Sequence, residues 1–303
     1  MTKARSPILV VLLLAALALP SQALAAGSGE AAKKKGEPTL IGFTDDPPRL
    51  ALGAPAVAGT SQVARIPVYW TGVGINGWGQ IDEAVNAARA SGQRILLTVT
   101  GTVAPDLAEW DAFLREMHGR YPDLWAVQAW NESNLANIGG DLSVEQTVAV
   151  VQTAAAALPG VRIIGPGVSP TMPGAKRYQT QLYRALPNSV GVGINIFTYS
   201  RKTGVDDALA QYRKAKLAGG KAKVYVTELG FHGGYFPNQA SVSAQTFKAL
   251  RKEGAATVVF YRLLTDPLLL VNWELTGRFA VLNDDLSPTP ILSALRKAIH
   301  ARR

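Results

Sequence analysis

Two glutamates stand where an apolar run gives way to polar residues: Glu132 in AWNESNL (129–135) and Glu228 in KVYVTEL (223–229). A carboxylate reached through an apolar strand is costly to bury unless something beside it stabilises the charge or the proton. Two such groups converging on one bond supply what substitution at an acetal carbon needs. One protonates the departing oxygen, and the other attacks the carbon or activates a water. At a separation of roughly 5 Å the configuration is retained, and at roughly 6.5–9.5 Å a water fits and it is inverted. Sequence sets no such distance. The tripeptide Asn131-Glu132-Ser133 also fits the N-x-S glycosylation pattern, the bland alternative for this polar cluster.

Whether residues nearly a hundred positions apart meet depends on the elements that carry them. Short β-branched runs begin at 39, 64, 94, 125, 161, 191, 223 and 256, at intervals of 25 to 36 residues. Between them lie helical stripes, such as Ile81, Ala84, Val85 and Ala88, or Leu107, Trp110, Phe113, Leu114 and Met117. The first connection, rich in Pro and Gly, predicts only a short or irregular helix. Eight βα units imply parallel strands with right-handed crossovers and match a (β/α)8 TIM barrel, an α/β fold of about 250 residues. A doubly wound sheet shares the same local grammar. Gly72, Gly74 and Gly77 in TGVGINGWG fit the G-x-G-x-x-G dinucleotide turn, yet the next strand ends Thr98-Val99-Thr100, without the acidic residue that turn needs. A loop at the barrel mouth is the expectation there.

In a barrel, chemistry belongs at the C-terminal strand ends. Those ends carry Asp45-Asp46, Tyr69-Trp70, Trp130-Asn131-Glu132, Thr198-Tyr199, Glu228 and Tyr261-Arg262, with Arg65 just inside the second strand. Strands 4 and 7 lie nearly across the ring, so Glu132 and Glu228 are expected to face each other over its mouth. Asn131, packed there, is a poor glycan acceptor.

Asn-Glu closing strand 4 and Glu closing strand 7, together with ARIPVYW and the final GRFAVLNDDLSPTPILSAL, resemble the clan A retaining glycoside hydrolases over about residues 38–300. The resemblance implies Glu132 as acid/base and Glu228 as nucleophile, with a raised and a lowered pKa respectively. It implies Asn131 on the sugar 2-hydroxyl and Arg65 and Tyr199 on the Glu228 carboxylate. Trp130 and Trp273 are candidate sugar-stacking rings. Two departures stand out. Phe197 occupies the position where the clan commonly has a histidine, and Phe260-Tyr261-Arg262 stands where strand 8 usually ends in tryptophan.

Composition narrows the setting. Lys3 and Arg5 precede an apolar stretch from Ile8 to Leu19, followed by Ala23-Leu24-Ala25, which predicts a signal peptide over 1–25. Residues 26–37 predict a flexible basic leader, and 38–303 a single catalytic domain. The expected location is extracellular or periplasmic, without stable membrane insertion once the signal is removed. With no cysteine, thiolate chemistry and disulfides are excluded. Net charge is +9, which suits anionic glycans or cell wall as partners, while no nucleic-acid module is evident. No cofactor is expected, and His118, His232 and His300 lack partners at metal-ligand spacing, so no metal is expected either. The expected partner is a carbohydrate substrate, a β-linked glycoside or polysaccharide. The rival readings are a non-catalytic carbohydrate-binding protein on the same barrel and, on the glycine motif alone, a nucleotide-dependent oxidoreductase.

Overall fold

A computed structural model of the chain describes residues 37–170, 172–198, 204–231, 236–264 and 279–300. Its eight strands are β1 Leu40–Thr44, β2 Val63–Tyr69, β3 Arg94–Thr100, β4 Ala126–Ala129, β5 Arg162–Ile164, β6 Val192–Thr198, β7 Val224–Phe231 and β8 Thr257–Tyr261. All pair in parallel, in the order β5-β4-β3-β2-β1-β8-β7-β6. A parallel bridge between Ile164 and Gly191 joins the two ends of that order, closing a (β/α)8 barrel.

The helices between the strands are α1 Pro47–Gly53, α2 Trp70–Asn76, α3 Gly79–Ala90, α4 Leu107–Arg120, α5 Ala136–Gly139, α6 Val144–Ala157, α7 Ala175–Ala185, α8 Gly204–Gly219, α9 Gln239–Glu253 and α10 Pro290–His300. The α3 stripe faces inward, with Ile81, Ala84, Val85 and Ala88 buried; of the α4 stripe Trp110, Leu114 and Met117 are buried and Phe113 is half-buried, while Leu107, in the helix's first turn, is exposed. The first connection is indeed short, since α1 has two prolines at its start and is followed by a single 3-10 turn.

The glycine motif is not the loop expected of it. Trp70 opens α2 rather than closing β2, Gly72 and Gly74 lie within that helix, and Gly77 ends it with φ +70°. Packing of Trp70 against Trp110 and Phe113 holds this extra helix over the barrel, which overrides the low helix propensity of its glycines. A phosphate-cradling turn is therefore absent from this stretch, and with it the basis for a dinucleotide site.

Strand alternation divides the interior into layers. Ile41, Phe43, Ala64, Ile66, Val68, Leu97 and Val99 join the core shared with the helices. On the other face, Leu40, Val63, Leu96, Ala126, Ile164 and Tyr225 form a separate apolar plug. Further along the same inward-facing rows come Thr44, Arg65, Thr98 and Gln128, all buried and polar. The barrel thus has a dry base and a polar layer beneath its mouth.

Residues 1–36 lie outside the described residues, and with them the expected signal and nearly all of the leader; Glu37 pairs with Lys223 at 2.7 Å. Among the described residues, no helix is long and apolar enough to cross a membrane.

Candidate active site

The tip of β4 is bent by two non-glycine residues in the left-handed region, Trp130 at φ 77° and Glu132 at φ 45°. Such conformations cost of order 1–3 kcal/mol each and persist only where surroundings impose them. Here they are imposed from both sides. Trp130 donates its backbone N–H to Val99 O and Glu132 to Gly167 O, each at 2.8 Å. The Trp130 ring, fully buried, donates Nε1–H to Gly139 O at 2.8 Å and meets Trp110 edge-on. Trp130 is thus not the sugar-stacking surface expected of it. Its ring points into the wall and anchors the bend that turns Asn131 and Glu132 to the interior.

Gly139 completes that anchor. A Cβ there would stand 2.0 Å from Glu132 O and 2.6 Å from Asn131 O, both backbone atoms with no freedom to yield. Gly139→Ala is expected to lower stability by roughly 2 kcal/mol or more, through forced movement of the β4 tip. A thermal melt checks the stability loss.

On β7 the register slips between Val226 and Leu229 against β8, and Ile194/Asn195 pairs with Val226/Glu228 on β6. This bulge at Thr227, which sequence periodicity did not signal, lets two consecutive side chains reach the interior. Thr227 Oγ1–H donates to Asn195 Oδ1 at 2.9 Å, while Glu228 Oε1 pairs with Arg65 Nη1 at 2.9 Å. The strand continues to Phe231 rather than ending at Glu228.

Arg65 is the hub of the polar layer. Besides Glu228 it donates to Gln128 Oε1 (3.0 Å), Thr44 Oγ1 (3.3 Å) and Asn131 Oδ1 (3.2 Å). Asn131 Oδ1 also accepts from Gln128 Nε2 and from Asn195 Nδ2, each at 3.2 Å. Three donors on one oxygen fix the amide orientation, which leaves Nδ2 as the free donor of Asn131, and Asn131 favours the charged form of Glu228. Asn195 Nδ2 reaches Glu132 Oε1 at 3.2 Å. Glu228, Arg65, Asn131, Asn195 and Glu132 therefore form one connected chain of polar contacts. The two glutamates, Arg65 and Asn131 meet as expected. Sequence reading missed Gln128, Asn195, Thr98 and Thr227; the one available signal was a lone amide interrupting each of the apolar runs WAVQAW and GVGINIFTY.

Ser133 is fully buried, and its Oγ accepts from Tyr178 OH at 3.0 Å. With the Asn131 amide held by its neighbours, the N-x-S pattern is no accessible acceptor in the folded chain. Tyr199, Trp273 and His232 lie outside the described residues.

Burial pushes the Glu132 carboxyl up to about 7, aided by the charge of Glu228 and opposed by Asn195 and Arg65. Glu228 was expected below its ordinary value. Burial instead raises it, outweighing the Arg65 ion pair and Asn131. The rims of β1 and β8 add a second buried pair, Arg262 Nη2 to Asp45 Oδ1 at 3.1 Å, with Asp46 at 3.5 Å. Burial pushes Asp45 up to about 6. Asp45 also accepts from the N–H of Leu264, tying the strand after which Arg262 sits to β1.

These groups line a cleft of about 370 Å³ at the barrel mouth, whose walls also include Tyr69, Tyr261 and Phe279. Phe197 packs edge-on against Tyr261 and Phe279 there. Among the described residues, no group of three or more His, Asp or Glu side chains is placed to hold a metal ion.

The barrel fold has solved counterparts. Xylanase 10B from Thermotoga maritima superposes with a TM-score of 0.64 at 12% identity, covering 86% of this chain and 94% of that one. The fold is the one that enzyme has. The intracellular xylanase TsXylA from Thermoanaerobacterium saccharolyticum matches at TM-score 0.60 and 17% identity, over 85% and 95% of the two chains. The exo-beta-1,4-mannosidase Op5Man5 from Opitutaceae bacterium strain TAV5 matches at 0.64 and 11%, over 86% of this chain and 59% of that one. No protein-family model and no curated protein sequence matches the chain.

Proposed function

We propose that this protein is an exported glycoside hydrolase that cleaves a β-linked glycoside with retention of configuration. The observation that carries the reading is that Glu132 and Glu228 line one cleft, joined through Arg65, Asn131 and Asn195. The fold shared with xylanases and a mannosidase supports it.

In this reaction Glu228 attacks the anomeric carbon as Glu132 gives its proton to the departing oxygen, leaving a glycosyl ester on Glu228. Glu132, now an anion, takes a proton from water. The hydroxide so formed displaces Glu228, and both carboxyl groups return to their starting states. Asn131, with Oδ1 held by three donors, presents Nδ2–H toward Glu228 and the 2-hydroxyl of a sugar beside it. A 2-deoxy-2-fluoro β-glycoside with a good leaving group should trap the ester, and peptide mass mapping should find the label on Glu228. Label on another residue, or turnover with inverted product by NMR, overturns the assignment.

The pH profile follows from the same geometry. Glu132 must be protonated for the first step, so kcat/KM is expected to fall as pH rises through about 7. The Asn195 bond favours the Glu132 anion, so Asn195→Ala raises the Glu132 pKa further and moves this basic limb to higher pH. Stability has the same sign. A carboxyl whose folded pKa lies above its unfolded value stabilises the fold fully below about 4.5 and loses that contribution as pH rises through about 7. Thermal melts across this window should decline in the wild type and less so in Glu132→Gln.

A further inference from the structure

A second space lies beside Glu132. Asn195, whose Nδ2 reaches Glu132 Oε1 at 3.2 Å, also lines a cavity of about 420 Å³ that opens against α7 and α8. Pro170 and Phe197 belong both to this cavity and to the cleft that holds the two glutamates, so the two spaces adjoin on the side of Glu132. The volume falls within the roughly 300–1,000 Å³ usual for small-molecule sites.

The two helices supply the polar lining. Lys176 and Gln179 stand one turn apart on α7, and Asp207, Gln211 and Lys214 follow at four- and three-residue spacing on α8, which puts each set on one helix face. Gln211 Oε1 is buried and accepts no hydrogen bond. The side chains of Lys176, Gln179 and Lys214 have no hydrogen-bond or ion-pair partner among the described residues. Native interiors seldom leave a buried carbonyl unpaired, because nothing replaces the hydration it loses. The cavity thus holds one acceptor in want of a donor, beside ammonium and amide donors in want of acceptors. A hydrocarbon answers neither. A bare anion meets the lysines but not the carbonyl, and the charge of Asp207 opposes it. A hydroxyl group donates and accepts at once. Val168, Pro170 and Phe197 add apolar surface for the C–H faces of a sugar ring.

Resting on the hydrolase reading, we infer that this cavity binds a sugar of the leaving group, so that the bond cleaved joins one sugar to another rather than to a simple alcohol. Glu132 protonates the departing oxygen, and what is attached to that oxygen lies on the Glu132 side of the cleft, where Asn195 touches both the acid and the cavity. The same space serves the second step in reverse. A sugar bound there attacks the anomeric carbon through one hydroxyl oxygen, the bond from that carbon to the Glu228 carboxylate breaks, and the hydroxyl proton passes to Glu132. The product is a lengthened glycoside in place of the hydrolysed sugar.

The test uses the 2-deoxy-2-fluoro ester on Glu228, because its glycone position is already filled and acceptors compete with water only on the leaving-group side. Recovery of activity is followed in buffer alone, with β-1,4- and β-1,3-linked disaccharides of glucose, xylose and mannose, and with 1-butanol at matched concentrations. At least one disaccharide should speed recovery by about tenfold or more along a saturating curve, while butanol gives no saturation. Gln211→Met keeps the unbranched shape and removes the carbonyl. It should raise the half-saturating concentration of that disaccharide about three- to tenfold, the effect of one lost hydrogen bond. Recovery in buffer and Tm should stay unchanged, since that carbonyl holds nothing in the fold. No saturable acceleration by any disaccharide, an unchanged half-saturation in Gln211→Met, or a lowered Tm in that variant overturns the inference while leaving the hydrolase reading intact. If no 2-fluoro β-glycoside inactivates the protein, the retaining reading fails at the first step, and the inference with it.

Discussion

Glu228→Gln is expected to reduce hydrolysis of an aryl β-glycoside by roughly 10⁴-fold or more, because it removes the group that forms the covalent intermediate rather than one that assists it. The amide keeps the shape of the side chain and still accepts from Arg65, so the loss should come without collapse of the barrel, which circular dichroism checks. Glu132 offers the contrast. Glu132→Ala should retain most of its rate in the first step on a dinitrophenyl glycoside, whose leaving group departs without a proton, and should stall at the ester. Azide, which attacks without needing a base, should release that ester as a β-glycosyl azide in Glu132→Ala. In Glu228→Ala the same anion takes the place of the missing carboxylate and gives the α-azide. Opposite azide anomers from the two variants would fix the two roles independently of any structural likeness. The same anomer from both, or full activity in Glu228→Gln, would remove the double-displacement reading.

Much of this site could be read before any coordinates because barrel grammar is local. Each strand is a short apolar run, each helix a stripe at three- and four-residue spacing, and the number of units fixes the architecture. The acidic strand tips follow directly, since Glu132 and Glu228 are charges at the ends of otherwise apolar segments. What stayed hidden depends on three-dimensional detail that spacing does not encode. The bulge at Thr227 shifts the inward-facing phase of β7, and nothing in KVYVTEL distinguishes a strand that keeps its register from one that slips. Trp130 looked like a sugar platform because aromatic rings at strand tips often are. Its left-handed backbone, held by Val99 O and by Gly139 O, sends the ring the other way. TGVGINGWG looked like a loop because glycine disfavours helix, and the edge-on packing of Trp70 against α4 decided otherwise. Gln128 and Asn195 were visible only as interruptions of apolar runs, and their importance appears once β4 and β6 bring their amides onto one oxygen of Asn131. The pKa of Glu228 was misjudged in the same way: an arginine near the start of the second strand was legible, but the depth of burial that outweighs it was not.

Arg65→Met should be the most damaging single change to stability in the polar layer. Its guanidinium is buried and holds Glu228, Gln128, Thr44 and Asn131 at once, and methionine fills similar space with none of those bonds. Removing one partner of a buried pair leaves the other charge uncompensated, at about 3–5 kcal/mol. For a domain of this size that corresponds to a fall in Tm of roughly 10 °C. The loss has a direction in pH. Without the cation the Glu228 pKa, already raised by burial, rises further, so at low pH the variant holds a neutral, tolerable carboxylic acid and at high pH an unpaired anion. The gap between wild type and Arg65→Met in urea denaturation is therefore expected to be smaller at pH 4.5 than at pH 8. A gap that does not change with pH would assign Arg65 a packing role only. In the double variant Arg65→Met/Glu228→Gln the buried anion is gone, and much of the lost stability should return. Arg65→Lys keeps the charge but lacks the planar fork that reaches Gln128 and Asn131 together. It should restore the pH dependence of stability before it restores activity, because an ionised Glu228 still needs Asn131 held in place to act on a sugar.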